Sequence, residues 1–375
     1  MIVKSPLSIS PDVEVVLAGT PFDFTSVLSL RILLEQNKHD MLELQISGLD
    51  PSLAHEYIGN PVKVSLSTGG GYSFQFLGYV DTVKPSSLSS YGEVNGSPFH
   101  SSRFVCMGAS YAMRGAKSNA WIGFSPHDVV SQLAFRHKFS ATVLRKDRLF
   151  DPFIQTNESD WNFLCRLAAA YGMSVNAHGT HLQMYDPLNV KTRLLSLHAL
   201  FTIGRAGGDP TPAPGQILEF SSDMTKKEPN VSSVLASNGE VLDIDGSGNI
   251  STATIVRKTG HYDSGFNLGV QRAAATARLT ENMDYIARVK VIGVAGCVPG
   301  GAVSVSGYSD QLDGFWHVRS VEHFVEKGVF FSELHIERNS SVSFSPSFST
   351  FAPPPPSTFV EGSWVSTSGG TNVYT

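Results

Sequence analysis

Apolar residues in this chain alternate with polar ones in short runs closed by glycine, serine or asparagine, the period of half-buried antiparallel strands. From Val62 the text VKVSLSTGGGYSFQFLGYVDTVKPS gives a strand with Val62, Val64 and Leu66 on one face, a glycine turn at 69–71 and a second apolar strand. The partner expected for that second strand is the later one around Phe104 and Cys106. The last third repeats the plan. There AVSVSGYSDQLDGFWHVRSVEHFVEKGVFFSELHIERN runs strand, Gly/Asp turn, long strand, charged turn and alternating strand through Phe330, Ser332, Leu334 and Ile336. Aligning QFLGYVDTVKPS with GFWHVRSVEHFVEK makes the two ends one module used twice, as two similar β-barrels flanking a different middle.

The period changes in the middle of the chain. Ser125-Pro126 followed by Asp128 has an N-cap, a proline at the first helical position and an acid in the first turn, and Val129, Val130 and Leu133 continue it as one apolar stripe. A second helix is expected from near Ser159, with Trp161, Leu164, Ala168 and Tyr171 on one face and Gly172 as its left-handed stop. Strand, turn at 178–180 and strand then lead to Asp186-Pro187. Residues 204–216, GRAGGDPTPAPGQ, read as an exposed insertion loop. After Asn339 the chain becomes SSVSFSPSFSTFAPPPPSTFVEGSWVSTSGGTNVYT, an extended proline segment ahead of a Gly/Ser/Thr tail.

The resulting fold class is mainly β with a central α+β segment: two similar tube-type β-barrels flanking a small helix-hairpin region. Its parts are a first barrel at 1–115, an α+β insert at 116–190, a second barrel at 191–340 and a Pro-rich tail at 341–375. With 375 residues, 41% of them hydrophobic, the chain is long enough for a sizeable core. A formal net charge of -5 gives no electrostatic reason to expect specific binding to nucleic acid or an anionic membrane. The N-terminus lacks a signal-peptide pattern and no apolar run reaches the roughly 20 residues of a membrane span. Cys106, Cys165 and Cys297 are odd in number and far apart, which fits neither a disulfide framework nor a zinc site.

Four stretches invite a chemical reading. His178 and His181 flank a tight turn, where their rings need not converge on one ion. Cys165 lies beside the apolar stripe of the second helix, the place of a small hydrophobe rather than an activated thiol. His55-Glu56 opens like a zinc-protease HExxH, but Gly59 stands where the second histidine is required. From Asp243 to Thr254 the side chains Asp243, Asp245, Ser247, Gly248, Asn249 and Ser251 follow a calcium loop, with Thr254 in place of the bidentate glutamate. The strand-like flanks of that loop favour a hairpin turn. No catalytic, cofactor-binding or metal-binding residue is assigned.

One stretch carries a resemblance. FIQTNESDWNFLCRLAAAYGMSVNAHGTHLQMYDP resembles the signature of the phage tail hub family, which includes the late control protein D of contractile tails and the hub half of type VI secretion spike proteins. The matching residues are Gln155, Glu158, Ser159, Asp160, Trp161, Phe163, Leu164, Arg166, Leu167, Ala168, Tyr171 and Gly172. Upstream, SPHDVVSQLAFRHKF is similar to the family's first helix, and the segment from Pro299 to Asn339 to its closing barrel. The loop at 204–216 and the tail after Asn339 depart from the family pattern.

The resemblance implies a structural protein without catalysis. It implies a homotrimer whose six barrels form a pseudo-sixfold ring between a hexameric tail tube and a threefold spike or tip. Genomic DNA would pass the lumen without sequence-specific binding, and the place would be the tail tip of a virion assembled in host cytoplasm. The competing reading is a tail-associated lysin built on the same scaffold, which clearing of cell walls by the purified chain would reveal. A calcium-stabilised adhesin, resting on the Asp243 loop, would instead show a melting curve that responds to chelator.

Overall fold

The computed structural model describes residues 11–49, 53–68, 72–88, 99–143, 153–187, 194–199, 214–224, 232–235, 241–244, 250–252, 285–308, 312–326, 328–338, 358–360 and 363–365. The first module contains β1 (Asp12–Leu17), β2 (Thr20–Phe22), β3 (Val27–Glu35), β4 (Met41–Ser47), β5 (Pro61–Thr68), β6 (Tyr72–Leu88) and β7 (Phe99–Gly108). The middle holds β8 (Ala116–Trp121), α1 (Pro126–Arg136), β9 (Ser140–Val143), β10 (Phe153–Ser159), α2 (Asp160–Ala170), β11 (Ser174–His178) and β12 (His181–Tyr185). The second module has β13 (Leu194–Ala199), β14 (Gln216–Met224), β15 (Ser232–Leu235), β16 (Val241–Ile244), β17 (Ile250–Thr252), β18 (Tyr285–Ile292), β19 (Ala302–Ser306), β20 (Gly314–Glu326) and β21 (Val329–Arg338). A short hairpin, β22 (Thr358–Val360) with β23 (Ser363–Val365), lies in the tail. No helix among the described residues is long and apolar enough to cross a membrane.

One 13-stranded sheet runs through both modules in the order β19-β13-β14-β18-β21-β20-β3-β4-β7-β6-β5-β1-β2. The second module closes on itself, because β19 also pairs with β20. The first stays open: among the described residues no strand links β1 or β2 back to β3. Alternation explains which face is inside. Val62, Val64 and Leu66 on β5 are fully buried while Lys63, Ser65 and Ser67 point the other way. Ala295, Val325 and Phe330 of the second module pack into the first module's core beside Leu30, Leu44 and Phe104.

The two modules are one design. Chain order β3, β4, β5, β6, β7 and chain order β14, β18, β19, β20, β21 both give the spatial order first, second, fifth, fourth, third. Irregularities coincide as well. The first strand of each carries a bulge, between Val27 and Ser29 and between Ile217 and Glu219. The fourth carries another, between Val80 and Thr82 and between Val318 and Ser320. Even the flanking backbone bonds recur: Val80 donates to Asn60 and accepts from Gly59, as Val318 donates to Gly301 and accepts from Gly300. A bulge displaces one residue and re-aims a strand, so two shared bulges in one topology mark a duplicated module rather than convergent packing. The structural register sets Val80-Asp81-Thr82 on Val318-Arg319-Ser320, one residue away from an end-to-end alignment of the two quoted sequences.

The middle follows its sequence signals. Ser125 caps α1 with a full capping box to Asp128, and Val129, Val130 and Leu133 are buried. Ser159 caps α2, Trp161, Leu164 and Ala168 are buried, and Gly172 has φ 66°. Beyond β16 and β17, which pair antiparallel with Ile244 opposite Ile250, the Asp243 loop has strands where a calcium hand has helices. Its residues 245–249 lie outside the described residues, as do 204–213 and most of the tail.

Candidate functional site

The β11–β12 hairpin touches both modules through polar groups. Asn37, at the β3–β4 turn, is left-handed with φ 63°, a conformation that asparagine adopts more readily than most residues. Its N–H donates to the Val175 carbonyl at 2.9 Å, and its side-chain oxygen accepts from the Val175 N–H at 2.8 Å. One residue thus supplies both bonds of a strand pair. Gln36 donates to Ser174 Oγ, and His178 Nδ1 meets Asp40 Oδ2 at 3.0 Å. On the opposite side Asn176 Nδ2 donates to the Pro299 carbonyl at 2.7 Å and to Tyr185 Oη at 3.1 Å. Gly300 lies against that pair. A Cβ there would stand 2.7 Å from the Tyr185 ring, so only glycine lets the second module come this close. Gln36 Oε1 also lies 3.4 Å from His317 Nε2, completing a three-way junction.

His178 and His317 stand at the junction, and other imidazoles are buried or half-buried elsewhere in the fold. Burial opposes charge on His178, but the Asp40 carboxylate and hydrogen bonds to Asp40 and the Pro299 carbonyl outweigh it, so its pKa rises. For His39, His317 and His323 burial dominates and lowers the pKa to about 4; His181 and His335 are shifted down for the same reason. Between pH 4 and the ordinary value near 6.5 the unfolded chain therefore binds protons that the folded chain refuses. These groups make stability rise with pH across that window. His178 and Asp40, both shifted up, lose stabilisation as pH rises and oppose these five. Urea midpoints are expected to climb from pH 4.5 to pH 7 and level off above; a midpoint independent of pH over this range would refute the assignment.

Inside the middle segment one carboxylate gathers four donors. Asp160 is 0% exposed. Its Oδ2 receives Lys117 Nζ at 2.9 Å, His137 Nε2 at 2.7 Å and Arg136 Nη1 at 3.5 Å, and its Oδ1 receives Gln155 Nε2 at 2.8 Å. Burial alone would raise its pKa, but the bonds from Gln155, His137 and Lys117 and the lysine charge reverse this and hold it at about 2. The cluster ties β8, the end of α1 and β10 to the start of α2. Its chemistry is that of a fastening, since the carboxylate is occupied on both oxygens and has no nucleophile beside it.

Across the seam between the modules the outer face carries ion pairs. Arg31 on β3 bonds Glu322 on β20 and approaches Glu43 on β4, which also pairs with Arg103 on β7. Farther along, Arg288 on β18 pairs with Glu333 on β21. Glu322 and Glu333 are direct cross-strand partners, a repulsive arrangement that the two arginines relieve. At 280 Å³ the groove lined by Arg31, Glu43, Arg103 and Phe324 is shallow and charge-balanced.

The residues singled out by sequence land apart from any reactive cluster. His178 and His181 are cross-strand partners, but His178 Nδ1 is engaged by Asp40 and His181 Nδ1 lies 2.9 Å from Ser140 Oγ. Burial pushes the Cys165 thiol up to about 12, and its Sγ lies 3.5 Å from the Asn37 carbonyl. His55 and Glu56 sit in a four-residue 3-10 turn, too short to present a metalloprotease helix. No group of three His, Cys, Asp or Glu side chains with metal-binding geometry occurs among the described residues. What sequence reasoning missed is the junction itself: Gln36, Asn37 and Asp40 stand in the polar turn QNKHD, whose Asn is the one local sign of a special backbone.

The fold has solved counterparts. A tail protein from Neisseria meningitidis MC58 is similar with a TM-score of 0.63 at 13% identity, over 90% of this chain and 98% of its own. A prophage MuSo2 43 kDa tail protein from Shewanella oneidensis gives 0.63 at 13% identity, over 88% and 98%. An E. coli component of the type VI secretion system, described as structurally similar to T4 bacteriophage tail proteins, gives 0.54 at 12% identity over 84% and 74%. No curated protein matches the chain by sequence. The fold is that of phage tail proteins, as the resemblance of residues 155–187 implies. Residues 104–327, more than half of the chain, match the family model of the Alg8 N-terminal domain, and the chain belongs to that family.

Proposed function

We propose that this protein is a structural hub of a phage tail or a related contractile injection machine, with no reaction of its own. Three copies form a ring of six modules that joins a hexameric tail tube to a threefold spike or tip, and genomic DNA passes the lumen without sequence-specific contacts. Residues 1–115 and 191–340 are the two ring modules, 116–190 the insert that braces them and 341–375 a tail toward the tip. The protein resides at the tail tip of the virion and is assembled in host cytoplasm.

The observation that carries this reading is the duplicated module in one continuous sheet: a trimer of such chains presents six equivalent strand sets to a sixfold tube and three inserts to a threefold tip. Likeness of fold to the Neisseria and Shewanella tail proteins over nearly their whole length supports it. Mass measurement in solution tests it. Three times the 40.5 kDa of one chain is expected; a strict monomer at all concentrations, or a dimer, would sink the ring.

A further inference from the structure

The repeat predicts a contact that one chain cannot make. In the second module β20 changes partner at its bulge: Gly314 to His317 pair with β19, and Ser320 to Glu326 pair antiparallel with β3 of the first module. In the first module β6 has the same bulge and the same change. Tyr72 to Tyr79 pair with β5. Residues 82–88 then pair with β7 alone among the described residues, and no described strand lies on their other edge. The strand equivalent to β3 is β14, and among the described residues it too has an unpaired edge. β13 covers it only at Gln216 and Ile217, so residues 218–224 are paired on the β18 side alone among the described residues.

We infer that these two open edges are the halves of a seam between copies of this chain, residues 82–88 of one pairing antiparallel with residues 219–224 of the next, as β20 pairs with β3 within each. This rests on the assembly reading above and supplies its contact surface. Within one chain β6 and β14 are separated by six intervening strands, which at about 4.8 Å per step places them roughly 34 Å apart along the sheet. A second copy is therefore the occupant.

The internal seam fixes the register. Val321 opposite Leu34, Glu322 opposite Leu33 and Glu326 opposite Ser29 translate, through the two sets of bulges, into Val83 opposite Met224, Lys84 opposite Asp223 and Leu88 opposite Glu219. Lys84 and Asp223 are both exposed and of opposite charge, and they fall directly across from one another. Glu322, the counterpart of Lys84, is likewise ion-paired across the internal seam, to Arg31. Pro85, opposite Ser222, has no N–H, so one rung of a ladder is missing on the side its nitrogen faces. A paired edge also removes the hazard of an open one. Phe330, buried in the first module's core at the internal seam, corresponds to His100, which makes the seam between copies the more polar of the two.

Cysteine pairing and charge reversal test the register. Lys84→Cys and Asp223→Cys are made as separate chains and mixed under mild oxidation, with melting curves confirming that each folds. A covalent dimer is expected from the mixture and from neither chain alone, since opposed strand residues have Cα separations within disulfide reach. Lys84→Asp and Asp223→Lys should each lose the assembled species by mass, and the double exchange should restore it. If the wild type is a trimer yet no cross-link forms and both reversals assemble normally, the seam is wrong and the hub reading stands. A wild type that remains monomeric overturns both.

Discussion

Asp160→Ala is expected to lower folding stability by about 3–5 kcal/mol, the cost of removing one partner from a buried charge cluster. The loss is large because the carboxylate is shared. Lys117, Arg136 and His137 would crowd a hole with no anion in it, and the Gln155 amide would lose its acceptor. Three elements would also lose their common tie to the start of α2. Asp160→Asn keeps the volume and an acceptor and should fall between the two. Urea midpoints of the three proteins give the comparison, and an alanine variant within about 1 kcal/mol of wild type would show that the cluster is decorative. The same series should flatten the acid limb below pH 4, because a carboxyl held at about 2 contributes stability that disappears as pH falls through the folded value.

Trp316→Ala is expected to cost about 3–5 kcal/mol, whereas at the equivalent site of the first module it is the addition of a side chain that should destabilise. Trp316 is fully buried, donates to the Leu312 carbonyl at 2.9 Å and lies beneath the Arg338 guanidinium, 5.0 Å from its ring centre. Its counterpart is Gly78. A Cβ at Gly78 would come within 2.1 Å of the Met107 carbonyl oxygen and 2.9 Å of the Phe76 ring. Phe76 corresponds in turn to Gly314, so the aromatic and the glycine have exchanged places two residues apart on the same strand. Each module has one ring and one gap at this level. Gly78→Ala should therefore destabilise by at least about 1–3 kcal/mol, since the obstacle is backbone rather than a movable side chain. Two variants that melt like the wild type would mean the repeat is a likeness of topology without shared packing.

Much of this was legible beforehand, and the reasons differ by element. Both helices announced themselves because Ser125-Pro126 and Ser159 are local signals that need no tertiary help. β5, β6 and β7 followed from alternation, which fixes the buried face as soon as a strand is granted. The repeat was visible in outline but displaced by one residue, because a bulge adds a residue that hydrophobic period cannot place. Hidden altogether were the pairing of β3 with β20 and the junction at Asn37, Asp40 and His178. Those partners lie more than a hundred residues apart, and nothing in either segment names the other. The buried fastening at Asp160 is halfway between: it lies in a recognisable motif, but Lys117, Arg136 and His137, which meet it, come from β8 and the end of α1.

The seam of β3 with β20 also sets a timetable for synthesis. Arg31 and Glu322 are 291 positions apart, so a ribosome must deliver all the residues between them before β3 finds its partner. Until then a nascent first module carries an open strand edge, the kind of surface that pairs with neighbours on a polysome. Closing so long a loop costs little more than closing a short one, but the contact order makes it late. The charged ladder at Arg31, Glu43 and Arg103 lies beside that waiting edge, where charge discourages premature pairing between unfinished chains. Strands β20 and β21, made long after β3, thus close the edge that the first module leaves waiting.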